Sequence, residues 1–225
     1  MSYGEPCMRL TRRTFATFTF GASLAAVIDR AVAQNRRGSA VTAEQAQIYL
    51  IRGLFGVFST GMDQMAAQLK AQGYSNVSLW NWPDVDQIAA DIIQGHQAGD
   101  DAHVILIGHS LGSNAVVQVA DRLARQAIPV DLAVTFDITE GLQVPINVER
   151  FINFYQNNGF GRPALEPAGF SGEFSNVNLS NQTQLDHGNI DNAPQLQQFV
   201  YQRIYEITHS HVQTRVAKRK TTKKG

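Results

Sequence analysis

Short apolar runs recur along the chain at 48–52, 77–80, 104–107, 132–136 and 148–154, rich in Ile, Val, Leu or Phe and too brief for buried helices. Such runs predict strands covered on both faces. Between them the apolar positions change to helical spacing. Met62, Met65, Ala66 and Leu69 share one face of a segment 61–72, and Val85, Ile88, Ala89 and Ile92 share one face of 84–95, which opens behind Pro83. Further helices are predicted over about 112–127 and from near Ala193 onward. Strands alternating with helices in this way predict an α/β fold, a mostly parallel sheet with helices on both faces. From about 156 to 186 the periodicity stops, and Asn, Gly, Pro, Ser and Gln dominate. A loop that long in a compact domain is usually functional. Phe160, Leu165, Phe170 and Phe174 within it are placed either to line a pocket or to pin the loop to the core.

The densest chemical signal is Gly108-His109-Ser110-Leu111-Gly112, between the strand that ends at Ile107 and the helix that follows. A strand–turn–helix this tight holds its serine in a strained conformation with the hydroxyl thrust out at the carboxyl end of the sheet. The flanking glycines are needed because a Cβ there would collide with the neighbouring strand or helix. The helix points its first amides at the hydroxyl, so the Leu111 N–H is expected to form half of an oxyanion hole.

A serine hydroxyl needs a histidine to take its proton, and that histidine needs a carboxylate to fix its tautomer. Among the 6 histidines, His109 is read as structural, pointing away from the active face. His96 and His103 fall at a helix end and at the wrong end of the serine strand, and His209 and His211 on the polar part of the last helix. His187 remains, in a loop before the final helix. For the acid, Asp121 falls inside a helix and Asp131 opens the strand 131–136 at the remote end. Asp137 closes that strand on the same edge as Ser110, since parallel strands deliver their carboxyl ends to one side. Glu140 is the fallback. Asp186 adjoins His187 and would have to fold back on it.

With these residues the chain resembles the α/β-hydrolase superfamily, and within it the small single-domain lipases and esterases, from about Gln47 to Ile207. The resemblance implies a minimal fold without a cap domain, with Ser110 as nucleophile, His187 as general base and acid, and Asp137 as the orienting carboxylate. It also implies a second oxyanion donor after an early strand. Here that is the backbone N–H of Leu54 or Phe55, in a segment where Arg52-Gly53 stands in place of the His-Gly common in the family. The reaction expected is cleavage of a carboxylic ester, from a small molecule or a lipid, through an acyl-enzyme. Two alternatives are a thioesterase of the same fold, which export disfavours, and a non-catalytic binding protein that keeps the fold.

Three regions are expected: a leader at 1–33, a hydrolase domain at 34–212, and a basic tail at 213–225, expected to be disordered. Thr11-Arg12-Arg13-Thr14-Phe15 is a twin-arginine sequence, followed by a weakly apolar stretch and a small-residue cleavage site at Ala31-Val32-Ala33. It predicts passage through the twin-arginine export machinery, with the product periplasmic or secreted. About 190 residues would remain, enough for one sizeable core. The sequence has 1 cysteine, Cys7 in the leader, so the mature domain has no thiol or disulfide chemistry. The formal net charge is +0 because basic ends offset an acidic middle. No phosphate-binding glycine loop, ligand-spaced His/Asp cluster or spanning apolar segment is found, so no cofactor, metal, nucleic acid or stable membrane insertion is expected.

Overall fold

The computed structural model describes residues 46–54 and 59–221, with side chains through His209. All belong to one compact unit, Ala40–Gly225. The leader, with Arg12 and Arg13, lies outside the described residues, as does Phe55.

The chain forms β1 (Ala46–Arg52), α1 (Thr60–Ala71), β2 (Val77–Asn81), α2 (Val85–Gln97), β3 (His103–His109), α3 (Leu111–Ala124), β4 (Leu132–Phe136), β5 (Arg150–Tyr155), β6 (Glu173–Asn178) and α4 (Pro194–Thr221). The strands make a 6-stranded sheet in the order β2-β1-β3-β4-β5-β6, parallel throughout. The architecture is α/β and compatible with an α/β-hydrolase-like fold. Successive residues of a strand point to opposite faces, so each apolar run feeds two cores. Ile48 and Leu50 pack with Met62, Leu69, Val200 and Ile204 of α1 and α4. Tyr49 and Ile51 pack with Ile88, Ile92, Val116 and Leu123 of α2 and α3. The strand order reverses between β1 and β3, and ligands of open parallel sheets bind outside the carboxyl ends at such a switch point.

The structure departs from the sequence expectation at three places. The run 148–154 starts late: β5 begins at Arg150, and Val148 makes only an isolated bridge to Val130. The segment 156–186, expected to be loop throughout, contains β6 as an edge strand. Its sequence hides it, because its sheet contacts are partly polar. Thr135 donates to Asn153 Oδ1 at 2.9 Å, Asn153 Nδ2 donates to Asn176 Oδ1 at 2.9 Å, and Asn176 exchanges two bonds with the backbone of Ala164. The apolar signal is carried by Phe174, stacked on Phe151 at 5.4 Å with Phe170 edge-on to it at 5.8 Å. Of the four loop residues, Phe170 and Phe174 therefore pin the segment, while Phe160 and Leu165 stay exposed. Finally, α4 continues to Thr221, into the segment assigned to the tail. Its Lys, Arg, Ala and Gln residues have good helix propensity.

Candidate active site

β3 and β4 are each followed at once by a residue with positive φ. Ser110 has a φ of 58° and Asp137 a φ of 54°, a region that non-glycine residues adopt at a cost of about 1–3 kcal/mol and that clusters at functional sites. The surrounding contacts enforce both. Ser110 N–H donates to the Phe136 carbonyl at 2.9 Å, and Asp137 N–H to the Phe154 carbonyl at 2.8 Å, so each turn is tied to the next strand. The glycines of the serine turn are there for space: a Cβ on Gly108 would sit 2.3 Å from the Gly112 carbonyl oxygen, and one on Gly112 2.1 Å from that of Ile51.

His187 reaches both strand ends from the loop before α4. Its Nε2 lies 2.9 Å from Ser110 Oγ, and its Nδ1 3.0 Å from Asp137 Oδ2. A carboxylate only accepts, so Nδ1 carries the proton and Nε2 is free to accept from the serine hydroxyl. Asp137 is fully buried, and its other oxygen accepts from the Gln156 N–H at 2.8 Å. The acid is thus held at both oxygens, while His187 remains partly open to solvent. The phenyl ring of Phe160 lies 4.8 Å from the His187 ring, itself largely exposed.

The expected oxyanion donors flank the serine. Leu111 is the first residue of α3, a position whose N–H has no intrahelical partner. On the other side Gly53 touches the nucleophile, since a Cβ there would lie 3.3 Å from Ser110 Oγ. Leu54 follows it in the chain and is exposed.

The other carboxylates considered for the acid, and His103 and His209, are engaged elsewhere, while the side chain of His211 lies outside the described residues. Glu140 Oε1 accepts from Asn114 Nδ2 at 3.1 Å. Asp186 caps its own turn through the Gly188 N–H at 2.8 Å. Asp121 pairs with Arg125, and Asp131 with His103 at 2.5 Å. His209 packs on Tyr205. Among the described residues no group of three or more His, Cys, Asp or Glu side chains is arranged to hold a metal ion, and no helix is long and apolar enough to cross a membrane.

The expectation that His109 points away from the active face is corrected: its ring centroid lies 5.1 Å from that of His187. Its Nε2–H donates to the His187 carbonyl at 2.7 Å, and its Nδ1 lies 2.8 Å from Ser59 Oγ. Burial pushes its pKa down to about 4. Asp191, fully buried with its Oδ2 3.9 Å from His109 Nδ1, is pushed up by burial to about 7. Sequence reasoning missed Ser59 and Asp191 altogether, and the only signal was that His109 stands next to the nucleophile. No protein-family model matches the chain, and a search of curated proteins gives no match.

Proposed function

We propose that this protein is a serine hydrolase that cleaves carboxylic esters through an acyl-enzyme intermediate. The observation that carries the reading is the continuous hydrogen-bonded line from Ser110 Oγ through both nitrogens of His187 to Asp137, at 2.9 and 3.0 Å. Ser110 attacks the carbonyl carbon as His187 Nε2 takes its proton, and Asp137 stabilises the imidazolium that forms. The amides of Leu111 and Leu54 hold the oxyanion as the tetrahedral centre develops. His187 then gives the proton to the leaving alcohol. Water repeats the sequence on the acyl-serine, releasing the carboxylic acid and restoring Ser110. Leu54 and Phe160, both exposed beside the reacting groups, suit a substrate with an apolar acyl or alcohol part.

The test is covalent. A fluorophosphonate probe labels the mature protein at Ser110 alone, and Ser110→Ala abolishes both labelling and turnover of p-nitrophenyl esters. Labelling at another serine, or a folded protein that neither labels nor turns over, defeats the proposal. The twin-arginine sequence supports export to the periplasm or beyond. Replacing Arg12 and Arg13 by Lys traps the precursor inside the cell, because the exporter reads the guanidinium pair and not only its charge. Unchanged export of that variant would remove the proposed location.

A further inference from the structure

We infer that His109 is a positioning residue, a strut that ties the loop after β1 to the loop carrying His187 and so sets the two halves of the site in one frame. The inference rests on the hydrolase reading for its catalytic consequence, though the strut itself is a matter of hydrogen bonds.

The bonds run in one direction. The Gly53 N–H donates to Ser59 Oγ at 3.0 Å, and the Ser59 hydroxyl lies 2.8 Å from His109 Nδ1. The opposite nitrogen, Nε2, lies 2.7 Å from the His187 carbonyl oxygen. A carbonyl can only accept, so Nε2 bears the proton and Nδ1 the lone pair. The Ser59 hydroxyl then has one acceptor for its single proton, and its own lone pair takes the Gly53 amide. Ser59 and His109 are both 1% exposed, so no water competes for these bonds. Each polar atom of the relay has a partner, and no second arrangement satisfies them all.

The two ends of the relay are the places where position matters. Gly53 lies against Ser110 and precedes Leu54, the expected oxyanion donor. His187 must keep Nε2 and Nδ1 aimed at partners on two different strands. Its ring touches those partners, but its main chain is held at the carbonyl by His109. Because His109 adjoins Ser110 in the chain, both loops are referenced to the nucleophile's own strand. The relay needs a neutral imidazole, and the titratable groups that face it are His187, Asp137 and Asp191. Burial keeps His109 neutral well below neutrality.

A core-filling role and a positioning role make opposite forecasts for two substitutions. His109→Phe fills the space but breaks both bonds. His109→Gln keeps a donor near the Nε2 position and so preserves the bond to the His187 carbonyl. If His109 positions the base, Phe lowers kcat on a p-nitrophenyl ester by about a hundredfold with KM little changed, the scale expected for misplacing a catalytic group by about 1 Å. Gln then recovers most of the loss. Combining His109→Phe with Ser59→Ala is no worse than His109→Phe alone, because both break one relay. Peptide-level amide exchange gives a reading independent of activity. It speeds up at 53–54 and at 188–190 in the Phe variant, and only at 53–54 in the Gln variant. Circular dichroism checks that each variant is folded. A Phe variant with wild-type kcat and unchanged exchange, or a Gln variant worse than Phe by both measures, overturns the strut. A wild-type protein that neither labels nor turns over ester defeats the hydrolase reading alone, and the exchange pattern still decides the strut.

Discussion

His103 with Asp131 and His187 with Asp137 are two imidazole–carboxylate pairs at opposite ends of the same two strands. At the amino ends of β3 and β4, His103 Nδ1 lies 2.5 Å from Asp131 Oδ1, whose companion oxygen accepts from the Val104 N–H at 2.9 Å. At the carboxyl ends, His187 and Asp137 are 3.0 Å apart. By pair geometry alone the first is the tighter. What it lacks is a nucleophile: the cavity of about 220 Å³ beside it is lined by Gln47, His96, Asp100 and their neighbours, with no serine, threonine or cysteine among them. At the other end the chain turns with positive φ after each strand, and α3 begins one residue past the serine. A His–Asp pair is a common ion-pair device, and it becomes catalytic machinery only where the sheet also delivers a hydroxyl and unpaired amides.

The comparison breaks most sharply on the two acids. Asp137→Asn should lower turnover on the order of a thousandfold or more with the fold intact, by analogy with the serine-protease case, because the carboxamide favours the wrong tautomer of His187. Asp131→Asn should leave turnover within about twofold, since it acts at the far end of the strands. Steady-state kinetics on both variants decides, and equal losses would erase the distinction. Glu140→Gln sharpens it further, with a loss of a few-fold at most, because Glu140 bonds to Asn114 and not to a histidine. A larger loss there than at Asp137 would make Glu140 the acid.

The smallest effect lies in stability at the amino end. Asp131 holds the His103 pKa above its ordinary value, chiefly through their hydrogen bond. The folded protein therefore binds this proton more tightly than the unfolded chain. That contribution is complete below the unfolded value of about 6.5 and disappears as pH rises through the raised folded value. Melting curves of wild type and Asp131→Asn should differ more at pH 5.5 than at pH 9. The pair is partly exposed, so the change in the gap should be about a few degrees at most. A gap that widens with pH contradicts the sign.

The central strands were legible because a strand covered on both faces is apolar at consecutive positions, as in Val104, Ile105, Leu106 and Ile107. Ser110 was legible from its glycine-flanked turn, Asp137 because parallel strands deliver their carboxyl ends to one edge, and His187 as the loop histidine left before the final helix. β6 was not, since Asn176 meets the sheet through an amide and only Phe174 and Val177 pack apolar side chains against the cores. The relay around His109 was not legible either. Its partners Ser59 and His187 stand 50 and 78 residues away along the chain, and neither a hydroxyl nor a main-chain carbonyl leaves any periodic trace.

The row of Thr135, Asn153 and Asn176 has a further consequence, for how the edge of the sheet avoids mispairing. Asn153 lies directly opposite both Thr135 and Asn176. An apolar edge strand that slips by two residues keeps its greasy side inward and loses little. Here the same slip parts Asn176 from Asn153 and from Ala164 together and leaves polar groups of those two buried residues short of partners, at a cost of roughly 1–3 kcal/mol for each group. The amides act as a key that fits one alignment only. An undocked strand of this composition also gives a neighbouring chain little to stick to, so the polarity that conceals β6 in the sequence guards against aggregation while the sheet is still incomplete.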